Sequence, residues 1–214
     1  MAYSFPEGAK FYFSQTFASA TTVTVATNAN PAVLTSATHG LVTNDEFLNT
    51  SGWEDASNMV FKANVLTANT LNPLGLDTTN TSLYSPGSGT GSIQKVSNWV
   101  ELQQVLSIST SGGDPKFTTI SPLAARNDIN VPIGFNAASI TLTMGHDAAN
   151  ANYQTALAVT RSLTKVAMKI LLGGGSTMYG YGYLAVNEIP ALNKGQANQV
   201  TASFSLLGRP ISYA

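Results

Sequence analysis

The 214-residue chain sets Lys+Arg 10 against Asp+Glu 11 for a net charge of -1, with 43% hydrophobic residues and no cysteine. That length can bury a sizeable core; the lack of a basic excess excludes tight nucleic-acid binding, and the lack of thiols excludes disulfide staples and cysteine chemistry. Only 10% of residues are charged, and about sixty Ser, Thr and Asn residues fill the gap, giving a polar, weakly charged surface suited to burial against copies of itself.

The opening Met1-Ala2-Tyr3-Ser4-Phe5-Pro6-Glu7 has no basic stretch followed by an apolar run, so no secretory signal is expected. Lys10 to Phe17 reads as a first strand and Thr21 to Thr27 as a second, with the turn-prone Asn28-Ala29-Asn30-Pro31 after it. Short strands are expected at Ala32–Ser36, Glu46–Asn49, Met59–Leu66 and Thr70–Leu76, at the close spacing of a small all-β module. Ser85-Pro86-Gly87-Ser88-Gly89-Thr90-Gly91 reads as a flexible joint and a boundary.

Beyond it, Ser92 to Ser109 has strand character, and 110–136, with a Gly112-Gly113-Asp114-Pro115 turn, reads as a long arm with a strand inside. Ile140 to Met144 alternates cleanly. Asp147 to Arg161 is the one credible helix: Asp147 can cap it, Arg161 suits its C-terminal end, and Tyr153, Ala156, Leu157 and Thr160 share a face. Lys165–Leu172 and Met178–Val186 form strands joined by Gly173-Gly174-Gly175; the greasiest run, Val166 to Leu172, is interrupted by Lys169 and is too short to span a bilayer. A turn at Asn193-Lys194-Gly195-Gln196 leads to the last strand. There Val200, Ala202, Phe204 and Leu206 alternate with Thr201, Ser203 and Ser205, and Gly208 and Pro210 end the strand. The fold class is mainly β: an antiparallel β-sandwich or barrel with one flanking α-helix.

The order from Trp99 to Arg209 resembles the major tail tube protein family of long, flexible-tailed bacteriophages. That pattern is a strand, a long loop, an alternating strand, one helix, a β-hairpin, a turn and a last strand ending near Gly-Lys/Arg-Pro, here Gly208-Arg209-Pro210. A second resemblance lies at Asn30-Pro31-Ala32-Val33-Leu34-Thr35-Ser36-Ala37-Thr38-His39-Gly40-Leu41, which is similar to the opening of the small β-module called FCCH in ubiquitin-activating enzymes. Together they imply a tube domain at 1–19 and 96–214, with 20–95 inserted as a module on the tube exterior.

The family resemblance implies a structural virion protein that self-assembles into homohexameric rings. The rings stack head to tail into a hollow tail tube, the conduit for DNA delivery. A lumen for duplex DNA needs well over the roughly sixteen to eighteen strands of a porin, which one chain cannot supply and six can. Ring formation pairs open sheet edges, and head-to-tail stacking gives an open filament whose length needs an external gauge. The implied partners are a second copy of the chain, tape measure, tail terminator and tail-tip proteins, and double-stranded DNA in transient passage without tight binding; no membrane is implied. The implied location is the virion tail, and the host cytoplasm during assembly.

Within that frame Thr141, Thr143, Thr201, Ser203 and Ser205 are candidates to face the lumen, or else form an exposed exterior face. Ile140, Leu142, Met144, Val200, Phe204 and Leu206 pack beneath the helix. Asp114, Lys116, Arg126 and Asp128 mark the candidate inter-ring arm, whose plainer reading is a surface loop.

Little invites an enzymatic reading. His39 and His146 are the only histidines; His146-Asp147 is more simply a turn residue and a cap than a base and its orienter. Gly173-Gly174-Gly175 lacks the Lys and the Ser/Thr helix start of a phosphate loop and reads as a hairpin connection. Tyr179, Tyr181 and Tyr183 share one face, as a core or inter-subunit stripe or as a sugar platform. Trp53 and Trp99 read as anchors, and Asp45-Glu46 and Glu54-Asp55 as solvated turns. No catalytic residue, metal or cofactor is expected. The competing functions are a β-sandwich module recognising carbohydrate or a cell-surface partner, and the tube protein of a contractile secretion system.

Overall fold

The computed structural model describes residues 7–124, 126–192, 194–195 and 197–214. Most of the opening segment, and both ends of the turn read at 193–196, fall outside them. The strands are β1 (Lys10–Ser14), β2 (Thr16–Phe17), β3 (Thr21–Val23), β4 (Val25–Ala26), β5 (Leu34–Thr35), β6 (Glu46–Ser51), β7 (Met59–Thr67), β8 (Thr70–Pro73) and β9 (Gly91–Ser97). They continue as β10 (Val100–Leu102), β11 (Val105–Ser111), β12 (Pro115–Ile120), β13 (Ile129–Phe135) and β14 (Ser139–Gly145). After helix α1 (Ala151–Ser162) come β15 (Lys165–Leu171), β16 (Thr177–Val186), β17 (Gln199–Leu206) and β18 (Ile211–Tyr213).

The first sheet runs β10-β1-β15-β16-β17-β14-β11, with β18 added to β16, and every pairing is antiparallel. Its inward residues are the apolar members of the alternating strands. Ile140, Leu142, Met144, Val200, Ala202 and Phe204 are all at most 3% exposed and pack with Tyr153, Ala156, Leu157 and Val159 of α1. The sheet curls around this core. Two strands separate β1 from β17, which in a flat sheet puts them about 14 Å apart, yet the rings of Phe11 and Phe204 meet edge to face at 6.3 Å between centroids.

The helix starts later than expected. Asp147 closes a turn instead, its Oδ1 accepting from Ala149 N at 3.0 Å. The cap is Asn150, whose Oδ1 accepts from the backbone of Asn152 and Tyr153 at 2.9 and 3.1 Å, satisfying two otherwise free N–H groups. Thr160 is only half-buried, and Val159 takes its place on the packing face.

The second sheet runs β2-β9-β6-β7-β8-β5-β4, with β3 on β9. Its own core gathers Val23, Leu34, Phe47, Trp53, Phe61, Leu71, Tyr84 and Ile93. The predicted first strand is two, because the chain leaves the first sheet at Ser14 and joins β9 of the second at Thr16. It returns after Ser97 through Asn98, held at φ 54°. The change of sheet therefore lies there and not in Ser85–Gly91, which closes onto Trp53: the indole Nε1 donates to Ser85 O at 2.8 Å, and a Cβ on Gly89 would lie 2.7 Å from the ring.

Two more expectations need correction. The 110–136 arm holds two strands and not one, since β12 and β13 pair as a hairpin with a bulge between Lys116 and Phe117. The chain also does not end its β-structure at Pro210, because β18 follows it and pairs with Thr177 to Tyr179.

Candidate assembly surface

Alternation fixes what the outer face of the first sheet carries. With Leu142 and Phe204 turned inward, their neighbours must point out. In register across three strands, Ser107 opposes Thr143, which opposes Thr201. The next row is Ser109, Thr141 and Ser203, and the last is Ser111, Ser139 and Ser205. All nine are exposed or half-buried, and β11, β14 and β17 contain no charged residue. The five hydroxyls predicted from sequence thus lie side by side. The sequence reading missed the four that complete the patch, although β11 and β14 show the same alternation of Ser or Thr with apolar residues. Strand β11 is the open edge of the sheet, and Leu106 and Ile108 on it are 58% and 36% exposed.

The hairpin extends from that edge strand. All thirteen of its strand residues except Val131 are exposed, among them Phe117, Ile120, Ile129, Ile133 and Phe135 at about half their area or more. Asp114 and Lys116 sit at its base, Arg126 and Asp128 in the turn between its strands, all exposed. An isolated two-stranded hairpin is marginal in water, and apolar residues on both faces without a covering layer mark a contact surface.

The other half of the outer face is covered. Ala167 and Tyr179 meet Leu48, Val60 and Val96 of the second sheet. At this junction Glu46 accepts from Tyr179 Oη at 2.6 Å, from Lys169 Nζ at 3.1 Å, and from Trp99 Nε1. The Lys169 ammonium also lies 4.5 Å from the centroid of the Trp99 ring. Burial first, then the hydrogen bond from its hydroxyl to Glu46, raises the Tyr179 pKa; burial pushes Tyr213 up to about 12. Glu46 is therefore no solvated turn residue: it joins the sheets, and its oxygens are taken up by structural donors.

The tyrosine row divides accordingly. Tyr179 is 1% exposed and Tyr181 packs edge to face on Phe17 at 5.9 Å, while Tyr183 alone stands 38% exposed beside Ser205. The row is a joint between sheets, not a platform. His39 accepts from Leu41 N in its own loop at Nδ1 and faces Thr67 O at the end of β7 from Nε2, both at 3.1 Å. His146 packs edge to face on Tyr153. Among the described residues no group of three or more His, Asp or Glu could hold a metal ion.

Residues 51–214 match the sequence profile of the phage tail tube protein (TTP) family, a match that begins inside the second sheet and takes in the whole hydroxyl face and arm. No curated protein matches the chain. A mainly β, antiparallel fold with one α-helix agrees with that match over most of the chain: it belongs to the phage tail tube protein family and is a structural protein of the bacteriophage tail.

Proposed function

We propose that this chain forms homohexameric rings that stack head to tail into the hollow tail tube and conduct the viral genome into the host, without catalysis. The observation that carries the reading is the nine-hydroxyl face on three strands with no charge. DNA affinity grows with each cationic phosphate contact, so a wall of Ser and Thr wets the passage and holds nothing back. Thr141, Thr143, Thr201, Ser203 and Ser205 then line the bore, with Ser107, Ser109, Ser111 and Ser139 beside them. The open β11 edge takes a neighbour in the ring, which removes the hazard of an unpaired strand. The arm marked by Asp114, Lys116, Arg126 and Asp128 reaches the next ring, where its apolar faces are buried.

Because the sheet curls, its two halves face in different directions, and the second sheet, an FCCH-like module spanning about 20–95, sits on the outer wall. A tape measure protein sets the length, and terminator and tip proteins close the ends, with assembly in the host cytoplasm.

The chain has no cysteine, so single substitutions test the placement. In assembled tubes Ser203→Cys should react with a small maleimide and be shielded from a streptavidin-sized one, whereas Ser82→Cys in the second sheet's loops should react with both. Equal access of the large reagent to both positions would overturn the bore assignment.

A further inference from the structure

The Gly208-Arg209-Pro210 segment sits where three parts of the molecule meet. Gly208 packs directly on the second sheet's loop: a Cβ there would lie 2.3 Å from Asn58 O and 2.9 Å from Ser57 O, so only glycine allows the approach. Three residues on, β18 is fastened at its far end. Tyr213 Oη donates to Leu74 O at 3.0 Å and accepts from Lys62 N at 3.1 Å, and Ile211 is packed into the junction. Arg209 therefore projects from a short backbone segment held on both sides. Its guanidinium Nη2 lies 3.3 Å from Asp55 Oδ1, on a 3₁₀ turn anchored by the buried Trp53 and Ala56. The same group sits 5.2 Å from the ring centroid of Phe135, the last residue of β13.

Among the hydrogen bonds, ion pairs and ring contacts of the described residues, this cation–π contact is the one that ties the strands of the arm to another part of the chain. We propose that Arg209 is a positioning residue. It parks the arm against the second sheet in the unassembled subunit and gives it up when another copy takes the arm, an inference that rests on the reading of the arm as an inter-ring contact. The chemistry suits a latch. A cation over an exposed ring shifts a two-state ratio by about twofold to fivefold, enough to bias the arm and too little to compete with burial of its five large apolar side chains. Asp55 holds the guanidinium in place whether or not the ring is there. While parked, the base of the arm turns one aromatic face to a cation instead of offering it to any passing edge strand.

The test uses the full-length, unassembled protein with nitroxide labels at Asn127→Cys, in the arm's turn, and Ser82→Cys, in the second sheet's loops. Pulsed electron–electron distance measurements then read the parked and released populations. Arg209→Ala should lower the parked-to-released ratio about twofold to fivefold, Arg209→Lys should restore part of it, and the unfolding midpoint should stay where it was. Faster onset of tube formation by Arg209→Ala completes the expected result. An unchanged distance distribution overturns the latch. So does a distribution that broadens together with a fall in the unfolding midpoint, because Arg209 would then support the fold in general. A shifted distribution with unchanged onset of assembly leaves the latch standing and removes the arm from ring stacking, so the two readings fail separately.

Discussion

Replacing Phe204 by alanine should destabilise the subunit by about 3–5 kcal/mol, a large share of the roughly 5–15 kcal/mol that holds a domain together. Phe204 is fully buried on the interior strand β17, opposite Ile140 on one side and Leu184 on the other, with Phe11 edge-on across the curl. Removing the ring leaves a cavity where α1, β1, β14 and β16 converge, and a curled sheet closed by one helix can collapse into it only in part. The neighbouring Ser203 points to the opposite face of the same strand, so Ser203→Ala should change stability by no more than about 0.5 kcal/mol. Urea unfolding of the two variants checks the contrast; a similar cost for both would contradict the inward and outward assignment.

The second large effect is at the joint between the sheets. Glu46 and Lys169 retain 16% and 19% of their side-chain exposure, and truncating one partner strands the other in a poorly solvated site. With that partial exposure discounted, Glu46→Leu should cost about 2–4 kcal/mol, because Lys169 would keep its charge against Trp99 and Tyr12 without its carboxylate partner. Lys169→Met should cost less, since Tyr179 and Trp99 still donate to Glu46. The double variant should recover at least about 1 kcal/mol relative to the sum of the two, an interaction a double-mutant cycle isolates. Strict additivity would mean that the pair contributes nothing to the joint.

How much of this was legible in the sequence depended on how local the signal is. Ile140 to Met144 and Val200 to Leu206 alternate strictly, and period two alone placed their apolar residues in the core, save the half-buried Leu206 at its margin, and five hydroxyls on one face. The late helix start is a matter of side-chain chemistry. Asp147 and Asn150 are both competent caps, and the turn that Asp147 closes moved the start to Asn150. The arm was blurred because Pro115, Pro132 and the bulge at Lys116/Phe117 interrupt any regular period. Strand β18 was missed because Pro210 reads as a stop, and what continues the sheet is a partner strand at Thr177 to Tyr179. The Glu46 junction had no local signature at all: its partners Trp99, Lys169 and Tyr179 lie 53, 123 and 133 residues away. Arg209 stood out in sequence as part of a family-like ending, but its meeting with Asp55 and Phe135 is a product of tertiary packing.

In the proposed assembly the uncharged face of β11, β14 and β17 lines the bore of a six-fold tube. Cryo-electron microscopy of isolated tails, reconstructed with helical symmetry, tests it most directly. Hexameric rings are expected, with the hydroxyl row of Ser109, Thr141 and Ser203 as the innermost density and the second sheet at the largest radius. A tube wall with that row on the outer surface, or with the second sheet facing the lumen, would contradict it.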